Sequence, residues 1–495
     1  MGKSTVIYSM LAALRAQGVR FMVIEPIKGE YKNEFGNDPD VHVYGTNAAY
    51  TPLLRINPFR FPKGIHVLEH MDGLIEILTV CWPLYAAMPA VLKKAVERAY
   101  EAAGWDLKRS RNRYGEEIYP TFRDVMEQTY QVLEESRYSN ENKGNYIGSL
   151  CMRLEKLTTG MEGMIFTSDD LTDEALFDEN VIVDISRIRS EETKSLIMGM
   201  LIFKLQEYRQ STAMGANQVL KHVTVLEEAH QLMRRSHVQN SGEGSAIAGK
   251  SVEMISNAIA EIRSYGEGFI IADQAPSALD EAVIRNTNTK IVMCLPEGED
   301  RILTGQAMGL KEEQIRELSQ LERGVAAVYQ NNWPEAVLVR LPRFNGGSGM
   351  YRLPDVQDED TFDTEALKAA VARNRLSDWC HALGEAEKQA LLRSDVPTGL
   401  KCAVLKYMKA PASERTDLWS HAVYALFGSP DELEMAAKAR SVAAWRSGIL
   451  NRLQLPAERL SARETDMMLA ALLREMMLRD AGCSRLFCEY IESLK

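Results

Sequence analysis

The chain has 495 residues, of which 45% are hydrophobic and 26% are charged, and its formal net charge is -11. This length suggests about two or three domains, and the composition excludes a chain that is disordered throughout. The net negative charge argues against a protein coated in basic surface for binding nucleic acid, although a ring of subunits can still enclose a local basic channel.

Cysteine usage and hydropathy favour a cytoplasmic protein without stable membrane insertion. The seven cysteines are scattered and contain no CxxC pair, which indicates neither a disulfide framework nor a zinc site. The most apolar stretch, LIEILTVCWPLYAAMPAVL, carries Glu76, Pro83 and Pro89, so we expect a buried helical segment there. The first ten residues lack the features of a secretory signal peptide.

The predicted elements begin with a helix and a strand. STVIYSMLAALRAQG has apolar residues at helical spacing and stops at Gly18, and the short apolar run FMVIEP follows as a strand. From about 64 to 165 the pattern is helical, which predicts a long insertion between strands. The predicted strands after it are ENVIVDIS, HVTVLEEAH, GFIIADQ and TKIVMCLP, and VAAVYQ with EAVLVRLP forms a closing pair.

This alternation of strands and helices predicts an α/β fold with a mostly parallel sheet and helices on both faces, over residues 1–343. Residues 344–363 are Gly-rich and then acidic, which is typical of a linker. Residues 364–495 have helical apolar spacing throughout and predict a separate all-α domain.

Residues Gly2 to Thr5 read GKST, the final part of a phosphate-binding loop. In a complete loop, backbone N–H groups wrap the phosphates, the lysine reaches the terminal phosphates, and the following hydroxyl holds magnesium at a helix N-terminus. Lys3 and Ser4 have the chemistry for binding ATP and Mg²⁺ in this way. Taken alone, the tetrapeptide also fits an exposed N-terminus whose serine caps a helix.

Two predicted strands end in polar side chains that favour the first interpretation. Glu227 and Glu228 follow the apolar part of HVTVLEEAH, where open α/β sheets place their ligand sites. We assign Glu227 to the magnesium shell, and Glu228 to orienting or deprotonating the water that attacks the γ-phosphate. Gln274, at the end of GFIIADQ, can hydrogen-bond both the γ-phosphate and that water. Each residue could instead begin an exposed helix or a turn, but their combination with GKST indicates a nucleotide site.

These motifs, in this order, resemble those of the HerA/FtsK group of RecA-like ATPases. GKST, VLEEAH and IRSYGEGFIIADQAPS are similar to the Walker A end, the Walker B strand and the glutamine-sensor segment of that group, most of all in HerA-type and VirB4-like bacterial ATPases. VIEPIKGEY and VIVDISRI resemble further stretches. The likeness covers residues 1–343 and does not extend to the helical C-terminal part.

The resemblance implies a ring, usually hexameric, that binds ATP between subunits and moves DNA through its pore. In such rings an arginine of the neighbouring subunit stabilises charge on the transferred phosphate. Arg263, eleven residues before Gln274, is the first candidate, with Arg285 and Arg301 behind it. A solvent-facing arginine on a helix is the alternative for each of them.

The polar, Gly-rich segment 234–251 follows the Walker B-like strand and its first helical turn. One interpretation is a pore loop whose Arg234, Arg235 and Lys250 contact DNA phosphates, and the other is a plain surface loop. Isolated histidines here, including His230, lack convincing metal-ligand spacing and favour hydrogen-bonding roles.

Two features depart from the HerA/FtsK pattern. No P-loop strand and no N-terminal β-barrel precede GKST, and we therefore expect the natural protein to begin upstream of Met1, since strands next to the missing one would be left unpaired. Glu227 stands where many Walker B strands carry Asp, and its extra methylene still permits direct or water-mediated contact with magnesium.

Three functions stay open. The first is a cytoplasmic, ring-forming, ATP-dependent DNA translocase or helicase-like motor of the HerA type, which the resemblance connects with DNA processing or anti-phage defence beside a nuclease or other effector protein. The second is a nucleotide-binding scaffold that assembles and regulates a partner with little hydrolysis. The third is a VirB4-like ATPase of type IV secretion.

Overall fold

A computed structural model describes residues 2–82, 84–215, 217–233, 257–347, 349–354, 362–455 and 460–494 of the chain. The chain forms two compact units. The segments of the first unit are Met1–Lys94, Val132–Phe166 and Leu171–Val356. The segments of the second unit are Ala95–Gln131, Thr167–Asp170 and Gln357–Lys495.

The described residues form strands in the order β1 Arg20–Glu25, β2 Val41–Gly45, β3 Trp105–Asp106, β4 Arg111–Asn112, β5 Asn180–Asp184, β6 His222–Glu227, β7 Glu267–Ala272, β8 Thr289–Val292, β9 Val325–Gln330 and β10 Val337–Arg340. Five of them make one parallel sheet in the order β2-β5-β1-β6-β7. The central strands are almost wholly buried because their sequences are near-continuous apolar runs. Because all five strands run parallel, their carboxyl ends meet at one edge of the sheet.

The sheet differs from the predicted strands at both sides. At one side it gains β2, which was not predicted, and whose sequence VHVYG alternates between buried and more exposed positions. At the other side it ends at β7, which pairs with β6 and has no second strand partner in the part of the chain that the structure describes. The strand predicted in TKIVMCLP is β8, and it joins β9 and β10 in a separate antiparallel sheet instead of extending the parallel one.

Helices flank this sheet within the first unit, and helices make up the C-terminal region. Among the elements that the structure describes in full, the helices of eight or more residues before residue 340 are Lys3–Ala16, Val67–Cys81, Met88–Ala102, Phe122–Glu135, Glu191–Thr212 and Gly298–Ala307. The shorter α-helices there are Tyr31–Phe35, Asn140–Tyr146, Met152–Lys156, Gly160–Ile165, Asp173–Phe177, Glu281–Asn286 and Glu312–Glu317. The C-terminal helices are Thr364–Ala372, Leu376–Ala382, Glu385–Arg393, Thr398–Lys409, Arg415–Phe427, Pro430–Lys438, Val442–Arg452, Ala462–Arg479 and Ser484–Ser493. The predicted α/β class, helical insertion and all-α C-terminal region are confirmed.

The second unit combines part of the insertion with the C-terminal helices, so its boundaries differ from the predicted domains. Side chains of Ala103, Tyr114 and Ile118 share one buried apolar cluster with Leu392, Cys402 and Leu405. The Thr398 hydroxyl also donates to Asp124 Oδ2 at 2.7 Å. Helical periodicity alone does not reveal this, because it predicts an apolar face but not the element that covers it.

Part of the predicted linker 344–363 packs on the first unit. Phe344 and Tyr351 lie against the apolar cluster that contains Tyr8 and Phe35. The backbone N–H of Tyr351 donates to Asn33 Oδ1 at 3.0 Å. The Gly-rich composition indicated a linker, whereas the aromatic side chains of Phe344 and Tyr351 bring this part of it onto the core.

The structure also bears on the predicted cysteine chemistry and membrane behaviour. All seven cysteines are free thiols, as predicted. Among the described helices, none is both long enough and apolar enough to cross a membrane.

Candidate functional site

The first helix begins at the carboxyl edge of the parallel sheet, beside the end of β6. Gly2 precedes it with φ of 122°, a conformation that other residues rarely adopt. A Cβ atom at Gly2 would also lie 2.8 Å from Met293 Cε. The first backbone N–H groups of any helix lack partners within the helix, so this end of the sheet presents hydrogen-bond donors to an anion.

Lys3 lies between the two glutamates that were predicted to act with it. Its Nζ atom is 2.9 Å from Glu228 Oε1 and 3.1 Å from Glu227 Oε2. Burial works to lower the pKa of Lys3, but the two carboxylates outweigh it and raise the pKa above its ordinary value. Lys3 is therefore protonated and forms ion pairs with both carboxylates.

Glu228 has an unusual backbone and two hydrogen-bond donors on one oxygen. It adopts the left-handed conformation, with φ of 48° and ψ of 52°, directly after β6 ends. Its Oε1 atom accepts from Lys3 and also from Gln274 Nε2 at 2.6 Å. Burial works to raise the pKa of Glu228, but the bonds from Lys3 and Gln274 lower it below its ordinary value. The structure thus places Lys3, Glu228 and Gln274 in direct contact, and it holds Glu228 as a carboxylate.

Glu227 contacts a residue that had no role among the predictions. The Tyr31 hydroxyl donates to Glu227 Oε1 at 2.6 Å, and Tyr31 is buried. Burial, together with the neighbouring Glu227 carboxylate, raises the pKa of Tyr31, so the phenol keeps its proton. The backbone N–H groups of Glu30 and Tyr31 donate to the carboxyl group of Glu25 at the end of β1.

A second unpredicted pair lies on the other side of Glu228. His230 Nδ1 is 2.9 Å from Asp273 Oδ2, and the backbone N–H of His230 donates to the same oxygen at 2.8 Å. His230 Nδ1 is also 3.7 Å from Glu228 Oε2. One possible ligand atom from each of Glu228, His230 and Asp273 lies within 4.8 Å of the others. The hydrogen-bonding role expected for His230 is confirmed, and Asp273, next to Gln274, is its partner.

The remaining predicted residues lie in different places. No hydrogen bond joins the described residues Ser4 and Glu227, although both lie at the same end of the first helix. Arg263 precedes β7, so it lies at the amino edge of the sheet, opposite to Gln274. Thr5 follows Ser4 in the first helical turn, where its carbonyl accepts from Ser9. The candidates Arg234, Arg235 and Lys250 lie outside the described residues.

The two reserve arginines both make contacts within this chain. Arg285 pairs with Glu281 at 2.6 Å on the exposed surface. Arg301 donates to the carbonyl oxygen of Leu295 at 3.1 Å. Neither contact involves the carboxylates beside Lys3.

The donor set at the carboxyl edge fits a nucleotide with a divalent cation. Lys3 and the N–H groups of the first helical turn suit phosphate oxygens, which are anionic acceptors. The carboxylate of Glu227 and the hydroxyl of Ser4 are oxygen ligands of the kind that Mg²⁺ prefers. The carboxylate of Glu228 and the amide of Gln274 lie beside them.

Comparisons with known proteins identify relatives in sequence and in fold. No protein-family profile matches the sequence. A stretch of 260 residues, 52% of this chain, is 23% identical to the DNA double-strand break repair helicase HerA of Sulfurisphaera tokodaii and spans 49% of that protein. Another stretch of 162 residues, 32% of this chain, is 26% identical to HerA of Sulfolobus acidocaldarius and spans 29% of it. The chain thus spans half or less of the length of these curated relatives.

Solved structures agree with the fold. The chain is similar to VirB4 of Thermoanaerobacter pseudethanolicus, with a TM-score of 0.52 and 17% identity over 70% of this chain and 87% of VirB4. It is also similar to the unbound bacterial conjugative coupling protein TrwB, with a TM-score of 0.50 and 11% identity over 71% of this chain and 84% of TrwB. At these identities the likeness establishes the fold alone. The chain is therefore HerA-like in sequence and VirB4-like in fold, and the resemblance to P-loop ATPases of the HerA and VirB4 type that its motifs predicted is confirmed.

Proposed function

We propose that this chain is an ATP-dependent DNA translocase, a helicase-like motor of the HerA type that works in the cytoplasm as a homo-oligomeric ring, most simply a hexamer. The observation that carries the proposal is the position of Lys3, which contacts Glu227 and Glu228 where the first helix begins. A lysine at a helix N-terminus beside two acids is the arrangement that phosphoryl-transfer enzymes of this class use to bind and hydrolyse a nucleotide.

Each residue at the site has a role that its contacts support. Lys3 exchanges the carboxylates for phosphate oxygens when ATP binds, and this exchange frees Glu228 Oε1. Glu228 then accepts the proton of the attacking water, while Gln274 orients that water through its amide. Ser4 and Glu227 would hold Mg²⁺, which would neutralise charge on the phosphates.

Two parts of the proposal, action on DNA and assembly into a ring, rest on the relatives and on Arg263. The curated relatives are named as a DNA repair helicase, and TrwB as a conjugative coupling protein. Arg263 makes no ion pair with any other described residue and lies across the sheet from Glu228. If Arg263 stabilises charge on the transferred phosphate, it does so from a second subunit. An effector protein such as a nuclease, and a role in DNA processing or anti-phage defence, stay predictions from the resemblance.

The test is the Glu228→Gln variant of the full chain, assayed for ATP hydrolysis with and without DNA. We expect the DNA-stimulated rate to fall by about 100-fold or more, because general-base catalysis contributes at least that much. Equilibrium binding of an ATP analogue should stay close to wild type. The matched control is Glu322→Gln. It removes an exposed carboxylate that pairs with Arg340 and that stands far from Glu228 in the sequence.

The other outcomes separate the three functions. Wild-type protein that binds nucleotide but hydrolyses it slowly, with no response to DNA, contradicts the motor and favours the scaffold. Activity in Glu228→Gln equal to that of Glu322→Gln contradicts the role of Glu228. Recovery of the protein with membrane components on cell fractionation favours the secretion ATPase.

A further inference from the structure

The segment VIEPIKGEY resembles the HerA/FtsK group, but no function follows from that likeness, and its last residue, Tyr31, reaches the candidate site. Tyr31 begins the short helix Tyr31–Phe35 after β1 and is 1% exposed. Three contacts hold it. Its backbone N–H donates to Glu25 Oε2 at 3.1 Å, its ring meets the ring of Tyr8 edge-on at 4.8 Å between centroids, and its hydroxyl donates to Glu227 Oε1 at 2.6 Å.

These contacts give the two oxygens of Glu227 different surroundings. Oε1 accepts a hydrogen bond from the Tyr31 hydroxyl, whereas Oε2 lies 3.1 Å from Lys3 Nζ. A carboxylate held at one oxygen by a fixed donor cannot rotate freely about its last bond. Oε2 is therefore the oxygen that Glu227 presents towards Lys3 and the beginning of the first helix.

The helix that carries Tyr31 does not depend on the hydroxyl for its position. Glu25 already accepts the N–H groups of both Glu30 and Tyr31, which ties the beginning of this helix to the end of β1. The ring of Tyr31 packs among Tyr8 and Phe35 and would stay buried without its oxygen. The hydroxyl thus makes a single directed bond, and that bond ends on Glu227.

We propose that Tyr31 is a positioning residue, whose hydroxyl fixes Glu227 so that Oε2 is available to the divalent cation that accompanies the nucleotide. The inference rests on the proposed function, since it concerns the cation of that same site. Hydrogen-bond donors that orient a ligating carboxylate strengthen metal binding, and their removal typically weakens it by about 10-fold to 100-fold. Tyr31 therefore raises the affinity for Mg²⁺ without touching the nucleotide.

The test compares Tyr31→Phe with wild type in the full chain. Binding of a fluorescent ATP analogue is titrated at increasing Mg²⁺ concentration and also in excess chelator. We expect the Mg²⁺ midpoint, the concentration that gives half of the maximal change in analogue binding, to rise by about 10-fold in Tyr31→Phe. Affinity in chelator should stay within about 2-fold, because the substitution removes none of the groups that bind phosphate. The matched control is Tyr8→Phe, since the Tyr8 hydroxyl makes no hydrogen bond with any described residue.

Each outcome bears on the proposal. A Mg²⁺ midpoint in Tyr31→Phe equal to that of Tyr8→Phe overturns it. Lower thermal stability and weaker binding in chelator, with the Mg²⁺ midpoint unchanged, also overturn it and assign Tyr31 a purely structural role. If the wild-type chain binds the ATP analogue equally well with and without Mg²⁺, or if Lys3→Ala binds it as well as wild type, the proposed function and this inference both fail. If wild-type binding responds to Mg²⁺ and the Mg²⁺ midpoint of Tyr31→Phe equals that of wild type, only the inference fails.

Discussion

Glu25 differs from Asp184, Glu227 and Glu228 at the carboxyl edge of the sheet because no lysine contacts it among the described residues. Burial raises the pKa of Glu25 to about 7, against the opposing effect of two backbone N–H groups. In Asp184 burial acts in the same direction, but the hydrogen bonds from Lys32 and Ser186 together with the charge of Lys32 outweigh it and lower the pKa. The folded chain therefore keeps a proton on Glu25 over a pH range in which the unfolded chain has lost it.

This difference predicts a pH-dependent stability for Glu25→Gln. The unfolded carboxyl titrates near its ordinary pKa of 4.5 and the folded one near 7, so the contribution of Glu25 to stability falls as the pH rises between these values. The glutamine does not titrate, and it keeps an oxygen for one of the two N–H groups, so any loss of the other bond is the same at every pH. Relative to wild type, the variant should gain on the order of 3 kcal/mol in free energy of unfolding across that window. Urea unfolding at several pH values measures this, and Glu322→Gln is the control. A constant difference between Glu25→Gln and wild type at all pH values would contradict the prediction.

At the scale of single residues, the sequence predicted site residues that stand at the ends of strands or at the beginning of the first helix, and it missed those that reach the site from elsewhere. Lys3, Glu227, Glu228 and Gln274 were predicted because each stands at the end of a recognisable element. Tyr31 contacts Glu227 across 196 residues, and the contact exists only because β1 lies beside β6. Local periodicity predicts strands but not which strands are neighbours, so the sequence held no direct signal for this bond.

At the scale of elements, one buried carboxylate joins β6, β7 and the helix Glu191–Thr212. Glu267 begins β7 and accepts from Thr224 Oγ1 at 2.8 Å and Arg209 Nε at 2.9 Å, and its Oε1 lies 2.8 Å from His222 Nδ1. Burial works to raise the pKa of Glu267, but these partners, led by His222, lower it. The network lies at the amino edge of the sheet, away from the candidate site.

We expect Glu267→Gln to destabilise the fold without altering the site. The substitution takes one of two carboxylate partners from the buried Arg209, which still pairs with Asp178 at 2.7 Å. Breaking a buried ion pair costs about 3 kcal/mol. The measurement is the free energy of unfolding from urea denaturation. The exposed pair Glu322 and Arg340 gives the control, because Glu322→Gln should change stability by less than about 1 kcal/mol. Equal losses in the two variants would refute the buried network as a source of stability.

The elements themselves were predictable to different degrees. The strands β1, β6 and β7 are continuous apolar runs, and each was predicted from its own residues. The strand β2 was missed because VHVYG is short and only alternately apolar, and its place beside β5 comes from tertiary pairing. The sequence also did not show that β8 runs antiparallel to β9, since apolar runs carry no direction.

At the scale of the whole molecule, the second unit is assembled from separated parts of the chain. Six alternating segments make the two units, and Ala95–Gln131 belongs with Gln357–Lys495. The pairing is close, since Tyr114 from the insertion packs with Leu392 and Leu405 from the C-terminal helices. The Lys409 ammonium also donates to the Tyr114 carbonyl oxygen at 3.1 Å.

This assembly predicts that Tyr114→Ala loosens helices that lie almost 300 residues away in sequence. Truncating a buried aromatic side chain typically costs about 3 to 5 kcal/mol, and the cavity borders the helix Thr398–Lys409. We expect amide hydrogen exchange in that helix to become at least about 10-fold faster. Tyr138→Ala is the control, because Tyr138 is 36% exposed and belongs to the first unit. Unchanged exchange in Thr398–Lys409 would refute the packing.

The divided second unit also constrains how the gene can change. Loss of the C-terminal helices alone would uncover the apolar side chains of Ala103 and Ile118, and loss of residues 95–131 alone would uncover Leu392 and Leu405. Exposed apolar patches of this kind favour aggregation. We therefore expect a folded variant of this chain to keep both segments or to lack both, because either one alone leaves an apolar surface without its cover.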